Sequence, residues 1–96
     1  MKVVVNKCYG GFGLSEEALK ELPHEECYYR DSSHRADTKL VWVVETLKNK
    51  ANGAYADLGV LEIPERAFWH IFEYGRWLDT DGSEVLFWST SEIHKA

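Results

Sequence analysis

Val3-Val4-Val5-Asn6-Lys7-Cys8-Tyr9-Gly10-Gly11-Phe12-Gly13-Leu14-Ser15 is the stretch whose reading decides the fold. Three consecutive β-branched side chains, stiff at χ1, fit a strand covered on both faces or nearly so. The run breaks at a glycine-rich turn. Beyond it Ser15 is a good N-cap, with Glu16 and Glu17 in the first turn, where the helix dipole favours anions. Ala18, Leu19 and Leu22 form an apolar stripe and Pro23 stops the helix, which at about eight residues is stable only when packed.

Downstream, Cys27-Tyr28-Tyr29-Arg30 reads as a short strand, and residues 31–37 as a loop rich in side chains that bond their own backbone. Asp37 or Thr38 then caps a second helix of about fifteen residues. Leu40, Val43, Val44, Leu47 and Ala51 fall at helical spacing in it, and Asn52-Gly53 supplies a left-handed C-cap. Tyr55 to Ile63 is a strand bounded by Pro64, with a bulge near Gly59 where its alternation shifts. Two aromatic runs, Ala67 to Tyr74 and Val85 to Trp88, make a hairpin that turns at Tyr74-Gly75 or at Asp81-Gly82. Its rings, Trp69, Phe72, Phe87 and Trp88, are expected to face the helices as core. Residues 89–96 read as a frayed polar tail. The pattern predicts one α+β domain over 1–96: a small, mostly antiparallel sheet with two helices packed on one face and a C-terminal β-hairpin.

Composition narrows the function classes. Ninety-six residues allow one modest core. A net charge of −5 sets the summed field against nucleic-acid phosphates and anionic membranes, so general nucleic-acid binding is disfavoured. The apolar run at the start is shorter than the about 7–15 residues of a signal-peptide core, and nothing later approaches a membrane span. A cytoplasmic protein with two free thiols, Cys8 and Cys27, is the expectation.

The glycine turn is the sharpest site candidate. Gly10, Gly11 and Gly13 permit close backbone approach, and a strand-to-helix turn aims free N–H groups at whatever lies above it. The spacing matches neither the dinucleotide fingerprint nor the P-loop. Glu16 and Glu17 also occupy the place an anion would take. A like-charge contact at 4 Å costs about 4 kcal/mol at an effective dielectric near 20, more than the roughly 0.3–1 kcal/mol the dipole offers, and Lys7 offsets only one of the two. The reading that survives is a tight turn over Asn6, Lys7, Tyr9, Gly10, Gly11 and Phe12 that presents Lys7, Tyr9 and Phe12 to a partner. A nucleotide-type ligand is the alternative, held by the Gly10-Gly11 backbone with Arg30, Arg35 and the nearby tyrosines.

Other constellations are weaker. His24 and Cys27 stand at metal-ligand spacing, with Cys8 and His34 to complete a set, but no second ligand pair supports zinc. Cys8 with His70 or His34 imitates a nucleophile and base without any local signature, so no catalytic residue, metal or cofactor is assigned. Trp42 lies off the apolar stripe of its helix and suits a homodimer contact.

The opening stretch, Ala51-Asn52-Gly53 with Ala56, Leu58 and Val60-Leu61-Glu62-Ile63-Pro64, and more loosely Glu73-Tyr74-Gly75, resemble a family of short bacteriophage and prophage proteins without an assigned activity. Arg35-Ala36-Asp37 matches an Arg-x-Asp that the family carries before its long helix. The family's tyrosine-rich segment shrinks here to Cys27-Tyr28-Tyr29-Arg30-Asp31, which puts in doubt any site that segment builds. The resemblance implies a phage-related origin and action inside a bacterial host cell. With the composition, it leads us to expect a non-enzymatic accessory protein that binds a host protein.

Overall fold

The computed structural model describes residues 1–8, 11–73 and 84–90. The order is β1 (Lys2–Asn6), α1 (Glu16–Lys20), α2 (Glu26–Arg30), α3 (Thr38–Leu47), β2 (Leu58–Glu62), β3 (Phe68–Glu73) and β4 (Glu84–Ser89), with 3-10 turns at Ser32–His34 and Lys48–Ala51. The α+β class and the C-terminal hairpin stand as expected. The single sheet does not: β1 pairs with β2 and β3 with β4, as two separate antiparallel ladders.

β1 explains why three valines stand in a row. Val4 packs with Leu40, Val43 and Val44 of α3, with Ala18 of α1 and with Tyr29 of α2. Its neighbours Val3 and Val5 point the other way, onto Ile63, Ala67 and Ile71, with Trp69 and Leu86 of the hairpin against them. A strand's side chains alternate between its faces, so one valine serves the helix layer and two serve the hairpin layer. The β1–β2 ladder is the middle of three layers.

Several local expectations need correction. Cys27-Tyr28-Tyr29-Arg30 lies in α2, not in a strand. Tyrosine's strand preference is overridden because one helical turn buries Tyr29 in the core and sets Arg30 four residues from Glu26, whose carboxylate it meets. α1 has five residues and ends by Glu21, whose N–H reaches Ala18 O and Leu19 O. Ser15 does cap it, its hydroxyl accepting from Ala18 N at 3.1 Å. Asp37 caps α3 through Lys39 N and Leu40 N, but α3 stops at Leu47 because Lys48 adopts φ 54°. Asn52 therefore ends the 3-10 turn that follows, in an extended conformation (φ −72°), and Asn52-Gly53 is no left-handed cap of α3. Gly53 is small for another reason: its N–H donates to Gly13 O at 2.9 Å, and a Cβ there would lie 2.8 Å from the Gly13 carbonyl carbon.

β2 carries no bulge, since the register runs unbroken from Lys2↔Glu62 to Asn6↔Leu58. The apparent shift in alternation arises because Ala56 precedes the strand, which begins at Leu58. Ser89 belongs to β4, opposite Phe68, and not to a tail. Both candidate hairpin turns, and residues 91–96, lie outside the described residues. No described helix is long and apolar enough to cross a membrane.

Tyr29 is fully buried, and among the described residues its hydroxyl has no hydrogen-bond partner. Burial pushes its pKa up and the Asp37 carboxylate adds to this, while the nearby His24 backbone opposes it without meeting hydrogen-bond geometry. An orphaned buried hydroxyl costs about 1–3 kcal/mol. Tyr29→Phe is therefore expected to raise unfolding stability by about 1 kcal/mol in urea titrations. The proton is also held more tightly in the folded than in the unfolded chain. Stability from this group is thus complete below the ordinary tyrosine range and is lost as pH rises through it, and the gain in Tyr29→Phe should widen there.

Candidate functional site

Asn6 is fully buried. Its Nδ2 donates to Cys8 O at 2.9 Å, and its Oδ1 accepts from Asp57 N at 2.9 Å and from the Cys8 thiol at 3.6 Å. It is a bracket that closes the turn, not a ligand contact. Phe12, expected on the surface, is 6% exposed, with the Arg35 guanidinium stacked 3.8 Å from its ring centre. A ring that caps the helix-layer core removes more apolar area from water than it would on the surface. Gly11 takes φ 88°, the left-handed conformation that glycine tolerates. Lys7 is exposed, its stem lying across Gly59. Tyr9 and Gly10 lie outside the described residues.

Arg35 is the residue whose role changes most. It is 1% exposed and every arm of its guanidinium is engaged. Nε donates to Tyr29 O at 2.6 Å, Nη2 to Arg30 O at 3.0 Å and to Glu84 Oε2 at 2.8 Å, and Nη1 to Glu84 Oε1 and Val4 O. Glu84 Oε1 also accepts the Asn6 N–H at 2.8 Å, and Arg35 O accepts the Val4 N–H at 2.9 Å. The ion pair thus fills the edge of β1 that faces away from β2, where a third strand would otherwise pair. A cation so committed offers nothing to a phosphate. Arg30, exposed, is held by Glu26 within α2, so the two arginines do not converge on a ligand.

The remaining chemical candidates also separate. His24 and His34 stack on opposite faces of Tyr28, each with its ring centre 3.9 Å away, so a tyrosine stands between the imidazoles. Among the described residues no group of three or more His, Cys, Asp or Glu is placed to hold a metal ion. The one S–H of Cys8 is shared between Asn6 Oδ1 and Tyr55 O, the latter 2.9 Å away, and Cys27 is an exposed thiol.

What the fold does present is the outer face of the hairpin. The register puts Phe68 opposite Ser89, His70 opposite Phe87 and Phe72 opposite Val85 on that face, while Ile71 and Leu86 face the core. Phe68, Phe72 and Phe87 are 47%, 48% and 49% exposed; of the rings expected as core, Phe72, Phe87 and Trp88 are half in water, and Trp69 alone packs inward, onto the cluster of Val3 and Val5. His70 meets Phe72 edge-on at 4.4 Å, and Phe72 meets Phe87 edge-on at 5.1 Å, so the rings hold one another in place. Half of each of the three residues amounts to roughly 300 Å² of exposed surface on one face, the scale at which apolar patches mark interaction sites. No Asp, Glu, Lys or Arg stands among these six residues, in a chain that is 28% charged.

Sequence reading missed this face because both faces of the hairpin are apolar. Trp69 and Ile71 alternate with Phe68, His70 and Phe72, and nothing local says which set turns outward. Trp42 is exposed as expected, with the Lys39 ammonium 4.5 Å from its ring centre. A comparison with protein-family models, curated proteins and solved structures finds no match for this chain.

Proposed function

We propose that this chain is a non-enzymatic protein-binding module that acts on a host protein inside a bacterial cell, and that it makes contact through the outer face of its hairpin. The observation that carries the reading is the uncharged row of half-exposed rings, Phe68, Phe72 and Phe87, the last two in edge-on contact. Covering about 300 Å² contributes roughly 7 kcal/mol gross, against an association cost of about 4–15 kcal/mol. The rings therefore anchor the complex, and polar contacts around them must complete it.

The test is capture from host lysate by the wild type and by Phe72→Ser/Phe87→Ser. A partner held by the wild type should be lost by the variant, whose melting temperature should stay within a few degrees because both rings are half in water. A partner held equally by both proteins sinks the assignment of the face.

A nucleotide site built on the glycine turn has lost Arg35 to the fold, and Arg30 to Glu26. A panel of mono- and cyclic nucleotides is accordingly expected to leave the melting temperature unchanged. A bound ligand at 100 times its dissociation constant would add about 2.7 kcal/mol and be unmistakable.

A further inference from the structure

The two edges of the β1–β2 ladder are treated differently. On the outer edge of β1, the Val4 and Asn6 N–H groups are taken by Arg35 O and Glu84 Oε1. On β2 the outward groups belong to Leu58, Val60 and Glu62, because Val3 and Val5 of β1 face Leu61 and Gly59 across the ladder. The Leu58 N–H is capped by Asn52 Oδ1 at 2.9 Å. Among the described residues the N–H and C=O of Val60 and of Glu62 have no partner.

We propose that a second copy of this chain pairs with the first through this edge, β2 antiparallel to β2, with Val60 opposite its own counterpart. In that register each Val60 exchanges both backbone bonds with the other, and each Glu62 N–H reaches the other copy's Leu58 carbonyl, which leaves the Asn52 cap undisturbed. The arrangement sets no like charges together. Each Glu62 lies opposite Leu58 of the other copy, so the two carboxylates stand four strand positions apart, about 13 Å, beyond the screening length of about 8 Å at physiological salt. It also sets apolar groups together: Leu61 against the Lys7 methylenes over Gly59. Each Leu61, 42% exposed, lies opposite Gly59, over which the Lys7 methylenes already lie. An unrelated strand shares the backbone chemistry but has no reason to match Leu61 against Gly59. The contact is independent of the hairpin face, so the two assignments stand or fall separately.

Sedimentation velocity on the intact chain, from about 10 μM to 1 mM, is expected to show mass rising from monomer to dimer, as a small interface gives weak association. Over the same range, amide exchange at Val60 and Glu62 should slow. Val60→Pro removes an N–H that has no partner among the described residues, and Leu61→Lys sets a cation against Lys7 of the other copy from a side chain already in water. Both variants should remain monomeric, and Leu61→Lys should keep the wild-type melting temperature even if the proline disturbs folding. A chain that stays monomeric throughout the range overturns the proposal. So does a dimer in which Val60 exchange is unchanged and Leu61→Lys still associates, since the contact would then lie elsewhere.

Discussion

Arg35→Ala is expected to leave the domain close to unfolded at room temperature. A chain of this length has roughly 0.05–0.15 kcal/mol of stability per residue, or about 5–14 kcal/mol in all, and removing one member of a buried ion pair costs about 3–5 kcal/mol. Arg35 and Glu84 side chains are 1% and 5% exposed, so solvent screens the pair little. The loss extends beyond the charge. Tyr29 O, Arg30 O and Val4 O lose a donor, and the Phe12 ring loses the plane stacked on it. Buried ion pairs can often be replaced by apolar residues at no net cost, yet here Arg35→Met/Glu84→Leu should stay at least about 2 kcal/mol below wild type, because the orphaned backbone groups, Asn6 N–H among them, remain. Full recovery in the double variant, measured by urea unfolding, would mean that the pair does not seal the strand edge.

Gly53→Val is the second large effect, expected at about 3 kcal/mol, the upper end of the overpacking range. The new Cβ would lie 2.8 Å from Gly13 C and 3.1 Å from both Gly13 Cα and Leu14 N. All three are backbone atoms and cannot swing aside. The same contact carries the Gly53 N–H to Gly13 O and Ser15 N–H to Ala51 O bonds, so a forced separation also loosens the start of α1. Gly13→Ala is the control. Its Cβ would meet nothing closer than 3.7 Å, and it should change stability by no more than about 0.5 kcal/mol. Urea midpoints for the two variants decide the matter, and equal losses would contradict the packing described.

Where sequence succeeded, the signal was local. Ser15 and Asp37 cap their helices through bonds that span three residues or fewer, and the hairpin follows from two aromatic runs separated by turn residues. Where it failed, the deciding contact was distant or symmetric. Arg35 looked like a free cation among tyrosines because Glu84, which commits it, is 49 residues away. Phe12 looked like a presented ring because nothing nearby foretells the guanidinium above it. The turn around Cys27–Arg30 is helical because Tyr29 reaches a core assembled from β1, α1 and α3, which no window of ten residues contains. The outward rings of the hairpin were illegible because both of its faces satisfy the same alternation. Of the expected site residues, Asn6, Gly11, Phe12 and Arg35 build the fold, while Lys7 and Arg30 reach solvent.

Arg35 belongs to the fold, sealed against β1. Hydrogen exchange of the arginine Nε–H groups at neutral pH, read in one nitrogen-15 NMR spectrum of the wild-type chain, tests it without mutation. The Arg35 Nε–H, which donates to Tyr29 O at 2.6 Å in a site closed to water, should exchange far more slowly than that of Arg30, which is exposed. Arg35 and Arg30 exchanging at the same fast rate would contradict the account.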